Sequence, residues 1–259
     1  MWSFDEWRQR RILTHAKIDE ALWQRAWQRL PLLHGLGVDE IERLHGLVVL
    51  FLHDKVIEPV QGLELDDEQR LHIALLACLP ILNLGFDWYD GWVEVVVYGG
   101  DFIATHDDEM DEVGLVHHHR HVLSGEAWSH GPVIFSWGSV QTAGQGGSHN
   151  VVVHEMAHKL DMLNGAANGY PPLHAEMKHQ RWSDVFAAAF ADFARRVAAG
   201  QRTEIDDYAV ENPAEFFAVF SEYFFDEPRL LQHHYPDVYQ QLCLFYRQDP
   251  VNRYPAAAR

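Results

Sequence analysis

Apolar residues recur at helical spacing through the first third of the chain. Across residues 19–30 and 39–53 they fall three and four positions apart behind acidic starts, which predicts two amphipathic helices. Asp66-Asp67-Glu68 opens a third, which carries Leu71, Ala74, Leu75 and Cys78 until Pro80 interrupts it. Trp23, Trp27 and the Leu stripes of this region read as core. After Gly85 the period changes. The Val-rich run 93–98, bounded by Gly91 and Gly99-Gly100, predicts a buried strand, and residues 132–137 predict a second, ended by Gly138. A polar, acidic loop lies between them from Thr105 to Glu112.

Gly144-Gln145-Gly146-Gly147 reads as a flexible turn, after which Ser148 or Asn150 can cap a helix. Val151-Val152-Val153 fits a strand equally well, so helix there is inferred from the residues after it, up to the stop at Asn164-Gly165. An irregular stretch to Gln180 leads into further helices over 183–199, 213–225 and 236–247. The sum is an α+β chain, mostly helical, with a small sheet. The change near residue 85 is the only plausible internal boundary. It divides a helical part, 1–85, from the remainder, 86–259, the two packed as one unit.

The 259 residues include 47% hydrophobic positions, enough for a substantial core. A formal charge of −18 argues against nucleic-acid binding, since nothing would neutralise phosphates. The basic cluster Arg8-Gln9-Arg10-Arg11 reads as a solvated helix face. Cys78 and Cys243, in separate apolar segments, read as small core residues. No secretion signal is visible at the N-terminus and no apolar run is long enough to span a membrane, so a reduced, cytoplasmic protein is expected.

Against that background His154-Glu155-Met156-Ala157-His158 carries chemistry. Two imidazoles four residues apart share a helix face and can bind one metal ion. The carboxylate of Glu155, beside the first of them, can take a proton from a water held there. The chemistry suggested is zinc-assisted hydrolysis, with a peptide bond as the expected substrate. With 18 His in the chain, a chance match to so short a motif is easy, so context must support it.

A catalytic zinc site usually has three protein ligands and an open position. A metzincin would place a third His ten residues after the first, where Asn164 stands, and a Gly where Asp161 stands; that class is excluded. A carboxylate from another helix is then expected. Glu215 and Glu222 share a face of the helix 213–225, while Glu211 precedes it. Glu215 has two readings on local sequence: a metal ligand, or the N3 member of a capping box behind Asn212 and Pro213.

Several separated motifs resemble the Mlc titration factor A family. They are His154-Glu155-Met156-Ala157-His158-Lys159-Leu160-Asp161, Ile205-Asp206-Asp207-Tyr208-Ala209, Asn212-Pro213-Ala214-Glu215 and Ser221-Glu222-Tyr223-Phe224-Phe225. Gly125-Glu126-Ala127-Trp128, Gly131-Pro132-Val133 and Ser136-Trp137 stand upstream in the same order. The resemblance runs from about Val93 to Asp249, with a looser helical match before it. It implies a bacterial zinc metallopeptidase of the gluzincin type with a zincin-like core, an aminopeptidase being one form. It further implies His154, His158 and Glu215 as ligands of one Zn2+, Glu155 as general base and Tyr208 as a phenol near the metal that could stabilise an oxyanion. It also implies binding of an Mlc-type transcriptional repressor, and so a part in regulating glucose uptake. The rival reading is a protein-binding regulator whose metal site is structural or vestigial.

Four features remain. Asp161 can accept a proton from a ligand imidazole, or be a solvated carboxylate near a helix end. Tyr208 can act at the site or simply pack. His117-His118-His119-Arg120-His121 does not converge in any regular element, and it reads, like His233-His234, as a solvated loop or an adventitious metal binder. Residues 133–137 can be an ordinary core strand, an edge for extended substrate backbone, or both; as an edge they would put the glycines of 144–147 in a mobile loop beside the cleft.

Overall fold

Acidic side chains do set the starts of the early helices. The structure, a computed structural model, describes residues 4–100, 102–105, 120–123, 125–128, 131–147 and 149–253. Helices α1 (Phe4–His15), α2 (Glu20–Gln28) and α3 (Val38–Asp54) lead into strand β1 (Val56–Pro59) and helix α4 (Asp67–Cys78). Asp19 Oδ1 accepts from Leu22 N at 2.9 Å to cap α2. Asp66 and Gln69 cap α4 reciprocally, each side chain taking the other's backbone N–H at 2.8 Å. The basic run of α1 is largely exposed, with Arg8 reaching across to Asp54 at 2.5 Å.

Strands β2 (Glu94–Tyr98), β3 (Phe102–Thr105), β4 (Arg120–Leu123), β5 (Gly125–Ala127) and β6 (Val133–Ser136) come next. The main sheet has the order β1-β2-β6-β5, with β1, β2 and β6 parallel and β5 antiparallel to β6; β3 and β4 form a separate antiparallel pair. Val95, Val97, Val133 and Phe135 are fully buried in it. The reading of residues 133–137 as an edge is corrected here. Strand β6 is paired on both sides, and Trp137 already begins helix α5 (Trp137–Val140). Among the described residues the edges are β1 and β5, and the one beside α6 is β5, a three-residue strand too short to show a period in sequence.

The remainder is helical: α6 (Val151–Asp161), α7 (His179–Ala198), α8 (Pro213–Asp226), α9 (Pro228–His234), α10 (Pro236–Tyr246) and α11 (Pro250–Arg253). Helix α7 starts four residues earlier than Ser183 suggests, because Trp182 is fully buried in the first turn. The core is a single cluster with members from both sides of residue 85, and β1 extends the sheet across that point. Gly144 is part of this joint rather than of a loop at a cleft. It is buried at φ +71°, and a Cβ there would stand 2.6 Å from Leu32 Cδ2 and 2.8 Å from Leu76 Cδ2. Residues 117–119 of the His cluster, and Ser148, lie outside the described residues. Among the described residues no helix is long and apolar enough to cross a membrane.

Candidate metal centre

Helix α6 forms despite three consecutive valines because tertiary burial overrides their strand preference. Val152 and Val153 are fully buried, and Asn150 Oδ1 accepts from Val153 N at 3.1 Å to start the helix. Its neighbour α8 is apolar on nearly every side. Phe216, Phe217, Phe220 and Phe224 stack among Trp182, Phe186, Phe193 and Tyr246 and fix its rotation about its axis. That rotation turns Glu215 and Glu222 toward α6.

Three donor atoms then converge. His154 Nε2 lies 3.0 Å from Glu215 Oε2, His158 Nε2 lies 3.3 Å from the same oxygen, and the two Nε2 atoms are 3.2 Å apart. A proton between two such nitrogens can serve only one of the pair, whereas a single cation serves all three donors. Two imidazoles and a carboxylate are also a donor set suited to a first-row divalent metal. His154, His158 and Glu215 therefore fit a metal ion, and they form the one such group found among the described residues.

The capping alternative for Glu215 does not describe its side chain. Asn212 Oδ1 alone takes both Ala214 N, at 2.9 Å, and Glu215 N, at 3.0 Å. The Glu215 carboxylate is left to face the histidines. Burial would raise its pKa, but the hydrogen bonds from His154 and His158 outweigh that and hold it far below the usual carboxylate range. Burial lowers the His154 pKa, and its bonds to Glu215 and Glu222 reverse this and raise it well above the ordinary value.

Glu222, which from sequence is a rival candidate ligand, instead bonds the far nitrogen of His154. Its Oε1 accepts from His154 Nδ1 at 2.7 Å, and its Oε2 accepts from Asn150 N at 2.6 Å. A proton held on Nδ1 would leave the Nε2 lone pair to a cation bound in place of the proton that Nε2 shares with Glu215. The seven-residue spacing from Glu215, two helical turns on one face, was the available signal, but it could not separate ligand from support. Behind it Asp226 Oδ2 accepts from Asn150 Nδ2 at 2.8 Å, and burial pushes that carboxyl up to about 7.

Asp161 does not take the expected part. Its carboxylate accepts the backbone N–H groups of Asn168, Gly169 and Tyr170 at 2.7–2.8 Å, and His158 Nδ1 has no hydrogen-bond partner among the described residues. The chain after α6 folds back over the helix end and captures Asp161, which a helical wheel cannot foresee. Glu155 is 4% exposed, its Oε2 lacks a partner among the described residues, and burial pushes its carboxyl up to about 7. Tyr208 sits on a single turn, Asp207–Val210, with its ring centroid 6.2 Å from that of His154. Burial and the nearby carboxylate of Glu215 raise its hydroxyl above the ordinary range, so it keeps its proton.

Residues 4–247 match the family described as glucose-regulated metallo-peptidase M90. The chain is 40% identical over 245 residues to Mlc titration factor A of Escherichia coli strain 55989, covering 92% of each chain. It is 41% identical over 227 residues to Mlc titration factor A of Cronobacter sakazakii, with 86% of this chain and 85% of that one covered. It is 41% identical over 238 residues to the protein of the same name from Enterobacter sp. strain 638, covering 91% and 87%. Matches of this extent, together with the converging donors of α6 and α8, make the chain a member of the glucose-regulated metallo-peptidase M90 family.

Proposed function

We propose that this chain is a zinc-dependent peptidase with His154, His158 and Glu215 as the metal ligands and Glu155 as general base. The observation that carries the reading is the convergence of those three donors beside a buried carboxyl group whose Oε2 has no partner among the described residues. Zinc held there would supply a Lewis acid that polarises a carbonyl oxygen and acidifies water. Glu155 takes a proton from the attacking water and returns it to the leaving amine, work suited to a carboxyl group raised toward neutrality. The Tyr208 hydroxyl donates to the developing oxyanion.

Substrate backbone pairs with the outer edge of β5. Trp128 N donates inward to Pro132 O at 3.2 Å, so by the alternation of an antiparallel ladder Gly125 and Ala127 turn their N–H and C=O outward. A second role is favoured by the relatives' name: binding of an Mlc-type repressor, in the cytoplasm, with the catalytic site idle or incidental to it. Glu155→Gln separates the two. It should keep one zinc per chain, cut peptide cleavage by about 100-fold or more, and leave repressor capture intact. Cleavage at the wild-type rate would overturn the peptidase assignment; loss of capture on zinc removal would join the two roles.

A further inference from the structure

Strand β5 approaches the base more closely than a side chain allows. A Cβ built on Gly125 would overlap Glu155 Oε1, stand 2.6 Å from Val151 Cγ2 and 2.9 Å from Glu155 Cγ. Distances under about 3 Å between non-bonded heavy atoms of this kind force something to move. The strand has little room to retreat. It is paired to β6 along its length, and its far end is held by the buried Lys159 ammonium, which donates to Trp128 O and to Gly131 O at 2.9 Å. Lys159 belongs to α6 itself and also lies 4.9 Å from the centre of the Trp92 ring, so helix and hairpin are fastened together one turn beyond the base. Val151 is β-branched and set in a helix, where its χ1 is nearly fixed. The end of the Glu155 side chain is the one flexible group in the contact.

We infer that Gly125 is a positioning residue that sets where the Glu155 carboxylate sits. The backbone of β5 forms one wall of the slot that holds the carboxyl group. The missing Cβ at that point leaves room for the base and for a substrate strand on the same edge. The inference deepens the peptidase reading above and rests on it for its effect on turnover.

The test is Gly125→Ala in the full chain, measured for zinc content, peptide cleavage and melting temperature. Zinc should remain at one per chain, because no ligand is touched. A base displaced by about 1 Å should cost on the order of 100-fold in kcat with KM within about threefold. Melting should separate this from simple packing. Adding Glu155→Ala to Gly125→Ala should recover about 2–8 °C relative to the sum of the single changes, the size of coupling expected between touching groups. Adding Val151→Ala should recover part of the Tm loss relative to the sum of the single changes, without restoring kcat. Additive Tm losses, or recovery of kcat in the Gly125→Ala/Val151→Ala protein, would overturn the inference. Should Gly125→Ala alone not fold, a folded Gly125→Ala/Glu155→Ala protein supports it and an unfolded one overturns it. A wild-type protein that cleaves no peptide would remove the peptidase reading, while the melting cycle would still decide whether Gly125 and Glu155 share this contact.

Discussion

Helices α4 and α8 begin with the same local grammar and use it differently. Each has an Asx residue at the N-cap, Asp66 or Asn212, and an acid or amide three positions on, Gln69 or Glu215. At α4 the N3 side chain turns back to its own cap, where Gln69 Oε1 accepts from Asp66 N at 2.8 Å. At α8 the cap is completed by Asn212 alone, and Glu215 points away to two histidines 57 and 61 residues earlier in the chain. A capping signal thus identifies where a helix starts without saying what its N3 side chain does. What differs is the surroundings: Gln69 meets its own cap, whereas Glu215 is turned inward beside two imidazoles that reward a carboxylate far more than one backbone N–H does.

The comparison breaks most sharply under paired truncation. Glu215→Ala should weaken zinc binding by more than about 100-fold, since losing a ligand costs at least as much as losing its support. Gln69→Ala should leave zinc binding unchanged and lower stability by about 1 kcal/mol. Chelator competition and urea unfolding check the two arms. Equal zinc affinity in Glu215→Ala would return that residue to a capping role. Next in size is Glu222→Gln, which should weaken zinc binding by about 10–100-fold by releasing the His154 tautomer, again read by chelator competition.

The smallest effect concerns Asp226, one turn beyond Glu222. Its carboxyl is raised to about 7 in the folded chain, against about 3.9 unfolded. A raised folded value favours the fold at low pH, and that contribution is lost as pH climbs through the folded pKa. The melting temperature of the wild type should therefore fall relative to Asp226→Asn between pH 5 and pH 8, by about 2 °C or more. A constant difference across that range would show that Asp226 ionises normally.

Much of this architecture is legible in the chain. The helical period gave α2, α3 and α4 to within a residue or two, and glycine brackets located β2 and β6. The short strands β1 and β5 were not legible, because three or four residues carry no measurable period. Helix α9, seven residues between Pro228 and the proline that opens α10, spans only about two turns and shows no clear helical period either. The histidine pair and its adjacent carboxylate were visible because a helix brings i and i+4 together locally. The partners of Asp161 and Glu222 were not visible, since each depends on which distant segment folds against the helix.

The sequence by itself determined that His154 and His158 share one face of any helix that carries them, with a carboxylate beside them, and where the early helices start. These arise from spacing and caps, which are properties of neighbouring residues. Only the tertiary structure decided that Glu215 faces the two histidines rather than its own cap, that Glu222 and not Asp161 supports an imidazole, and that among the described residues β5 rather than β6 is the sheet edge beside α6. Those outcomes depend on the rotation of α8 in its aromatic packing and on the pairing order of the sheet, both set by contacts between segments far apart in the chain.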